Sequence, residues 1–157
     1  MRWDEIENQP CSIARSLSVL GDRWTLLIIR NCFLGTRRFD VFQQQLGITR
    51  HRLADRLDRL VEDEVLCRVP YQERPLRHEY RLTEKGKDLY PVILSLVRWG
   101  DRWMDGGRGA PVIYKHVPCG HLTQPTMVCS ECGEPLLARD ITPLAGPGLK
   151  KSSEKRA

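Results

Sequence analysis

The stretch ITRHRLADRLDRL, residues 48–60, decides which fold this chain is expected to adopt. Thr49 stands where a helix N-cap is expected, because its side-chain oxygen can accept a hydrogen bond from an orphan N–H of the first turn. An apolar stripe recurs at helical spacing and comprises Leu53, Leu57, Leu60 and Val61. The charged residues outside that stripe are Arg52, Asp55, Arg56 and Arg59, with Arg50 and His51 in the exposed first turn. The pattern predicts one helix with an apolar back and an arginine-rich front.

A helix with two such faces has two interpretations. Its front suits insertion into a DNA major groove, where a guanidinium can form a bidentate hydrogen-bonded pair with guanine. A solvated surface helix would carry the same charges without a partner. The elements on either side of the helix favour the first interpretation.

Three shorter helices are predicted before this one. They cover residues 12–20, a segment from the capping residue Asp22 to residue 34, and residues 36–45, with Phe39, Phe42 and Leu46 facing inward. Gly35 and Gly47 are expected to end the second and third helices. Two strands are predicted after the fourth helix, at 65–71 and 79–82, joined by the basic turn 72–78. This order predicts a mainly α protein with a small β-wing, that is, a winged helix-turn-helix.

A long helix is predicted from Glu84, capped by Thr83, to about Met104. Large apolar residues step along it by three and four, and the candidate dimerisation residues are Leu89, Ile93, Leu96, Trp99 and Trp103. So much apolar surface favours a homodimer, although the helix could instead cap its own domain. Pro91 is expected to kink it, because proline lacks an N–H.

Composition limits the classes of function. Among 157 residues the formal net charge is +5, which favours an anionic partner such as double-stranded DNA. No apolar run approaches the length of a membrane span and no apolar segment follows the N-terminus, so we expect a cytoplasmic protein without a membrane partner. No pattern of catalytic residues stands out, and an enzyme is not predicted.

Several segments, in their order, resemble the HxlR-type winged-helix transcription regulators, relatives of the MarR group. The segments are GDRWTLLI at 21–28, GTRRF at 35–39 and YRLTEKG at 80–86, together with Trp99. The resemblance extends from about Cys11 to Met104. It implies a homodimer that regulates transcription, as a repressor, from an inverted-repeat operator, with a small molecule or an oxidant as inducer. The family pattern differs at Glu64, where a glycine is usual and would ease a left-handed helix end.

The resemblance also assigns candidate contacts to DNA. The recognition helix would approach the bases, residues near the start of the third helix would reach phosphates, and the wing would add basic contacts. The candidate residues are Arg37, Arg38, Thr49, Arg50, His51, Arg52, Arg56, Arg74 and Arg77. Cys11 occupies the position from which some family members sense thiol stress. It is either a reactive thiolate or an inert cysteine packed at the dimer contact.

The six cysteines need not form disulfides without a secretory signal. Cys32 and Cys67 are interpreted as small core residues. Near the C-terminus, His116, Cys119, Cys129 and Cys132 form two turns in which ligands are separated by two residues and followed by glycine. Two such turns supply the four ligands of a structural zinc site of the zinc-ribbon kind, with His121 as an alternative to His116. A Cys129/Cys132 redox couple, or a hairpin without metal, remains open.

The predicted organisation has four parts. Residues 1–105 form the DNA-binding and dimerisation domain, 106–111 a linker, 112–144 a zinc-ribbon-like module and 145–157 a disordered tail. Two other functions fit the sequence less well. A thiol oxidoreductase would carry its cysteine pair in a βαβ context that is missing here, and an RNA-binding or partner-docking ribbon would carry more aromatic residues than Tyr114 alone.

Overall fold

The computed structural model describes residues 3–149, so most of the predicted disordered tail lies outside the described residues. The helices are α1 (Ser12–Leu20), α2 (Arg23–Phe33), α3 (Phe39–Leu46), α4 (Arg50–Glu62), α5 (Glu84–Lys87) and α6 (Tyr90–Trp103). The strands are β1 (Leu66–Glu73), β2 (Leu76–Leu82), β3 (Tyr114–Lys115) and β4 (Leu122–Thr123). The chain divides into two compact units, one ending at Ile93 and the other beginning at Leu94. No helix in the described part of the chain is long and apolar enough to span a membrane.

The first unit is built on the apolar faces of α2, α3 and α4. Its fully buried side chains are Ile28, Ile29, Phe42, Leu53, Leu57, Leu60, Val65 and Leu66. Of the stripe predicted on α4, Leu53, Leu57 and Leu60 enter the core, whereas Val61 is half-buried. Asp22 caps α2 as predicted, because its carboxylate accepts a hydrogen bond from the Trp24 N–H at 2.8 Å.

The third helix begins three residues later than predicted. Arg38 is extended and pairs with Glu79 of β2, and the carbonyl of Arg37 accepts a hydrogen bond from Tyr80 N–H at 2.8 Å. Thr36 is buried, and its hydroxyl donates to the Gln45 side chain at 2.8 Å. The segment before α3 thus pairs with the sheet, which a helical spacing of apolar residues does not reveal.

Helix α4 ends at a left-handed residue. Glu64 has φ +58° and is the only non-glycine residue with positive φ among residues 3–149. The Val65 N–H donates to the Leu60 carbonyl at 2.9 Å, and the Glu64 N–H to the Val61 carbonyl at 3.0 Å, which together form a Schellman motif. Glu64 therefore occupies, at a steric cost, the position where a glycine would be unstrained.

Glu64→Gly is expected to stabilise the protein. Removing the clash of Cβ in the left-handed region should raise the free energy of unfolding by about 1 kcal/mol. A thermal melt checks the direction. Gly47→Ala is the matched control, since Gly47 ends α3 at φ +60° and alanine there should lower the melting temperature. A Glu64→Gly protein that melts below the parent would contradict this explanation of the turn.

The wing is longer and its turn tighter than predicted. β1 and β2 pair antiparallel from Leu66 opposite Leu82 to Glu73 opposite Leu76, so only Arg74 and Pro75 form the turn, with a bulge near Tyr71. The interpretation of Cys67 as a core residue was wrong. It lies on β1, exposed, because this face of the hairpin meets solvent, and its Sγ is 3.6 Å from the Arg81 carbonyl.

The single long helix predicted after the wing is two helices. Proline has no N–H to donate four residues back, so Pro91 lies in the first turn of α6 and does not kink a helix interior. Leu89 falls in the break between α5 and α6, and Ile93 is only 6% exposed and belongs to the core of the first unit. Leu96, Trp99 and Trp103 remain 48%, 59% and 64% exposed.

The second unit contains the rest of α6 and two short hairpins. β3 pairs with β4, and Val128 forms an isolated bridge with Pro135. The predicted linker contains three glycines with positive φ, Gly106, Gly107 and Gly109. From residue 110 to residue 144 no side chain is buried, so this segment has no hydrophobic core of its own.

Candidate nucleic-acid interface

The turn between α3 and α4 positions the candidate recognition helix. Gly47 ends α3 in the left-handed conformation and Ile48 is buried beneath the turn. Thr49 is the N-cap of α4, as predicted, but its side chain makes no capping hydrogen bond. Because Thr49 is exposed, water can satisfy the orphan N–H groups, and its hydroxyl lies at the start of the helix where anions are favoured.

Arg50, His51 and Arg52 are all exposed on the first turn of α4. The Arg50 guanidinium lies 5.0 Å from the centre of the Phe39 ring, which orients it by a cation–π contact. Arg52 makes no ion pair with any residue in the described part of the chain. These three residues are therefore presented together at the N-terminal end of the helix, with Arg52 available to an outside partner.

Arg56 is less exposed than the sequence predicts, because it pairs with carboxylates of the protein. Its side chain is 25% exposed and lies 3.2 Å from Asp55 and 3.9 Å from Asp22, the cap of α2. A guanidinium shared between two carboxylates is oriented by them and partly neutralised. Arg56 thus links α4 to α2, and a base contact would require it to leave Asp22.

The pairing of α4 carboxylates with the arginines of the candidate interface was not predicted from the sequence. Asp55 is also 3.5 Å from Arg59, a pair separated by four residues. The sequence contains the spacing that predicts this pair, whereas the Asp22–Arg56 contact joins residues far apart in the chain. Asp58 pairs with Arg68 of β1. The front of α4 is thus a mixed-charge surface in which the first turn carries the unpaired positive charge.

Arg38 is fixed at the base of the wing. Its guanidinium lies 4.6 Å from the Tyr71 ring centre and 3.6 Å from the Glu79 carboxylate, while the side chain stays more than half exposed. A hydrogen bond from Arg81, with the positive charges of Arg81, Arg38 and Arg37, lowers the pKa of Glu79. Glu79 is therefore ionised at neutral pH and orients its two arginine partners.

The wing carries exposed arginines at its tip. Arg74 lies in the two-residue turn, where its carbonyl accepts a hydrogen bond from the Gln72 side chain at 3.0 Å, and Arg77 lies opposite Gln72. Arg37 is also exposed, directly before Arg38. The structure therefore places Arg37 and Arg38 at the wing base and Arg74 and Arg77 near its tip.

A buried polar network supports α3 and was not predicted. The Asn31 amide donates to the Gln45 side chain at 2.9 Å, and Thr36 donates to the same oxygen. Arg30 in turn donates to the Asn31 side-chain oxygen, with its closer nitrogen at 2.6 Å. Since buried polar groups must be satisfied, this network fixes α3 against the end of α2.

The cysteines differ in environment. Burial raises the pKa of Cys32 to about 12, so this thiol is inert at neutral pH, as a small core residue should be. Cys11 is exposed at the N-cap position of α1. Hydrogen bonds to the Cys129 sulfur, from the N–H groups of Cys132 and Glu131 and from the Cys132 thiol, lower its pKa.

The predicted zinc ligands lie in two pairs. His116 Nδ1 is 3.2 Å from Cys119 Sγ, and Cys129 is hydrogen-bonded to Cys132. Among residues 3–149 no group of three or more His, Cys, Asp or Glu side chains is close enough together to hold a metal ion. The structure thus forms each pair and leaves the two pairs apart.

A helix-turn-helix followed by an arginine-bearing hairpin is the arrangement of a winged helix-turn-helix DNA-binding protein. The family model for HxlR-like helix-turn-helix proteins matches residues 19–108. The chain belongs to this family and is a transcription regulator with a helix-turn-helix DNA-binding domain.

Known proteins are similar over different lengths of the chain. The HTH-type transcriptional regulator Rv3095 of Mycobacterium tuberculosis is 47% identical over 139 residues, which are 88% of this chain and 88% of that protein. PA1607, assigned as a transcription factor, has a crystal structure that matches with a TM-score of 0.80 at 35% identity, covering 89% of this chain and 98% of PA1607. The redox regulator HypR, in its reduced form, matches with a TM-score of 0.55 at 30% identity, covering 59% of this chain and 92% of HypR.

The two longer matches extend beyond the DNA-binding domain. An alignment of 139 residues must include part of the segment after residue 111, whereas the family model ends at residue 108. The match to PA1607, which covers 89% of this chain, likewise includes part of the segment that follows the family domain.

Proposed function

We propose that the protein regulates transcription as a homodimer that binds an inverted-repeat operator through α4 and the wing. The observation that carries this proposal is the exposure of Arg50, His51 and Arg52 together on the first turn of α4, directly after the helix-turn-helix turn. The N-terminal residues of a recognition helix are those that reach base edges in the major groove. Arg52 is the strongest candidate for a base contact, because no carboxylate of the described residues neutralises it.

The wing and the segment before α3 supply phosphate contacts in this proposal. Arg74 and Arg77 are exposed near the tip of the hairpin, and Arg37 and Arg38 at its base. Such contacts set affinity and register but do not distinguish sequences. Bound across an operator that overlaps a promoter, the dimer would act as a repressor.

The homodimer rests on an apolar face of α6 in this proposal. Leu96, Trp99 and Trp103 follow one another at steps of three and four and are about half exposed or more, so they share one face of the helix. Large apolar residues grouped on a helix face are typical of protein–protein contacts. A dimer with two-fold symmetry binds two half-sites that are related by the same two-fold axis, which makes the operator an inverted repeat.

Comparing Arg52→Ala with Arg56→Ala tests the proposed readout. The operator is first selected from a pool of randomised duplexes with the parent protein. Arg52→Ala should weaken binding to that operator by about 1–3 kcal/mol and change binding to a scrambled duplex much less. Arg56→Ala should lower the melting temperature, because it removes the link between α4 and Asp22, and should weaken both duplexes alike.

Fluorescence anisotropy on the two duplexes, with a thermal melt of each variant, measures these effects. Arg77→Ala is the control for a phosphate contact and should weaken both duplexes equally while reducing the salt dependence. If Arg52→Ala lowers the affinity for operator and scrambled DNA equally, Arg52 does not contact bases specifically.

The alternative is a regulator that responds to oxidants through Cys11. Its thiol is exposed at the start of α1, and the chain is similar to the redox regulator HypR. In this version oxidation of Cys11 changes DNA binding, and Cys11→Ser abolishes the response. Peroxide treatment that leaves operator affinity unchanged would reject it.

A further inference from the structure

Two loops of the C-terminal segment have the same backbone structure. One runs from His116 to His121 and the other from Cys129 to Glu134. In each, the first residue donates its N–H to the carbonyl of the sixth, at 2.9 Å for His116 and 2.8 Å for Cys129. The fifth residue, a glycine, donates its N–H back to the carbonyl of the first, at 2.8 Å for Gly120 and 2.9 Å for Gly133.

The glycine of each loop is required by its conformation. Gly120 has φ +73° and Gly133 has φ +75°, in the region that side chains with a Cβ rarely adopt. Each loop also closes a short antiparallel pair, β3 with β4 in the first case and Val128 with Pro135 in the second. The two segments that are similar in sequence, 116–120 and 129–133, are thus a repeated structural unit.

Equivalent positions in the two loops identify the side chains that act together. His116 corresponds to Cys129 and Cys119 corresponds to Cys132, so each loop presents a pair of nitrogen or sulfur ligands from its first and fourth residues. In the first loop the two members of the pair are already in contact, with His116 Nδ1 3.2 Å from Cys119 Sγ. His121 corresponds to Glu134, and neither belongs to the repeated pair.

The segment also has no hydrophobic core of its own. No side chain from residue 110 to residue 144 is buried, and Ile113, Val117 and Leu122 are each more than two-thirds exposed. A module of this size without a hydrophobic core needs a disulfide, a metal ion or a partner to hold one structure. The structural match to PA1607 covers 89% of this chain and therefore includes part of this segment.

We propose that the two loops bind one structural Zn²⁺ through His116, Cys119, Cys129 and Cys132, with His121 outside the ligand set. Three thiolates and one imidazole are a ligand set that structural zinc favours, and four protein ligands leave no position for a catalytic water. The two pairs are separate among the described residues, so metal binding brings the loops together and releases the thiol protons. The inference goes beyond the proposed regulation of transcription and does not depend on it.

Thiol protection in the unmodified full-length protein is the first test, because it needs no variant that could misfold. Fully reduced protein is treated with a thiol alkylating reagent with and without added Zn²⁺, and each cysteine is followed by peptide mass spectrometry. Cys119, Cys129 and Cys132 should be alkylated at least ten times more slowly with Zn²⁺. Cys11 and Cys67 are exposed cysteines outside the loops and serve as internal controls whose rates should not change.

Metal content of full-length variants is the second test. Protein purified without chelator should contain one zinc per chain, and His121→Ala should retain it. His116→Ala and the Cys129→Ser/Cys132→Ser pair should lose more than nine-tenths of it. Alkylation of Cys119, Cys129 and Cys132 at the same rates with and without Zn²⁺, or zinc retained in the double variant, would overturn the site. Zinc lost in His121→Ala but retained in His116→Ala would overturn the ligand set proposed here.

Discussion

Gly86→Ala is expected to destabilise the first unit strongly. A Cβ at this position would lie 2.2 Å from the carbonyl oxygen of Val65 and 3.0 Å from the Leu82 side chain. The first distance is far below any tolerated contact, and the contacted atom belongs to the backbone. Overpacking of this kind costs about 3 kcal/mol, which is a large part of the stability of a small domain.

The surroundings of Gly86 cannot relax cheaply. The same Val65 carbonyl accepts a hydrogen bond from the Thr83 N–H at 3.1 Å, and the Thr83 hydroxyl donates to the neighbouring Glu64 carbonyl at 2.6 Å. Thr83 in turn caps α5 by accepting from the Gly86 N–H at 3.1 Å. Moving α5 away from Val65 therefore breaks the hydrogen bonds that connect the end of α4, the wing and α5.

Thermal melting checks the expectation, with Gly146→Ala as the matched control. Gly146 has open space around it and no left-handed backbone, so the same change there should be neutral. The Gly86→Ala protein should melt on the order of 15 °C below the parent. Equal melting temperatures for the two variants would mean that the close approach of Gly86 to Val65 is absent in solution.

Leu96→Glu is expected to convert the proposed dimer to monomers and to abolish tight operator binding. Leu96 is 48% exposed on the face of α6 that also carries Trp99 and Trp103. A carboxylate placed in an apolar contact must be buried without a partner, which the interface cannot offset. Losing the second half-site removes an effective-concentration advantage of about 100-fold or more in affinity.

Sedimentation velocity and operator titration measure the two consequences together. Leu34→Glu is the control, because it makes the same change at a leucine that is 64% exposed at the end of α2, outside α6. It should remain dimeric. A Leu96→Glu protein that sediments as a dimer would show that the interface lies on another surface. A monomer with undiminished operator affinity would show that dimerisation is not needed for operator binding.

The sequence predicted the elements that depend on local chemistry. The stripe on α4, the cap at Asp22 and the left-handed end at Gly47 follow from helical spacing and from the properties of single residues, and the structure has all three. The family resemblance of the DNA-binding region is confirmed by the family model. The family resemblance indicated Glu64 as a position where glycine is usual, and the structure has Glu64 in the left-handed region at φ +58°.

The errors arise where distant residues meet. Arg38 is extended because it pairs with Glu79, forty-one positions later, and Arg56 is partly buried because Asp22 lies against it. Pro91 begins a helix rather than kinking one, since the structure breaks after α5 to bring Ile93 into the core. Helical spacing describes one element at a time and contains none of these contacts.

Titration of the selected operator most directly tests the central claim, that a dimer reads an inverted repeat through basic residues of α4 and the wing. The intact operator is compared with a duplex in which one half-site is scrambled, over a series of salt concentrations. We predict two chains per intact duplex, a large loss of affinity with one half-site, and a steep fall in affinity as salt rises, because bound counterions are released. One chain per duplex with equal affinity for both DNAs, or binding that is indifferent to salt, would contradict the account.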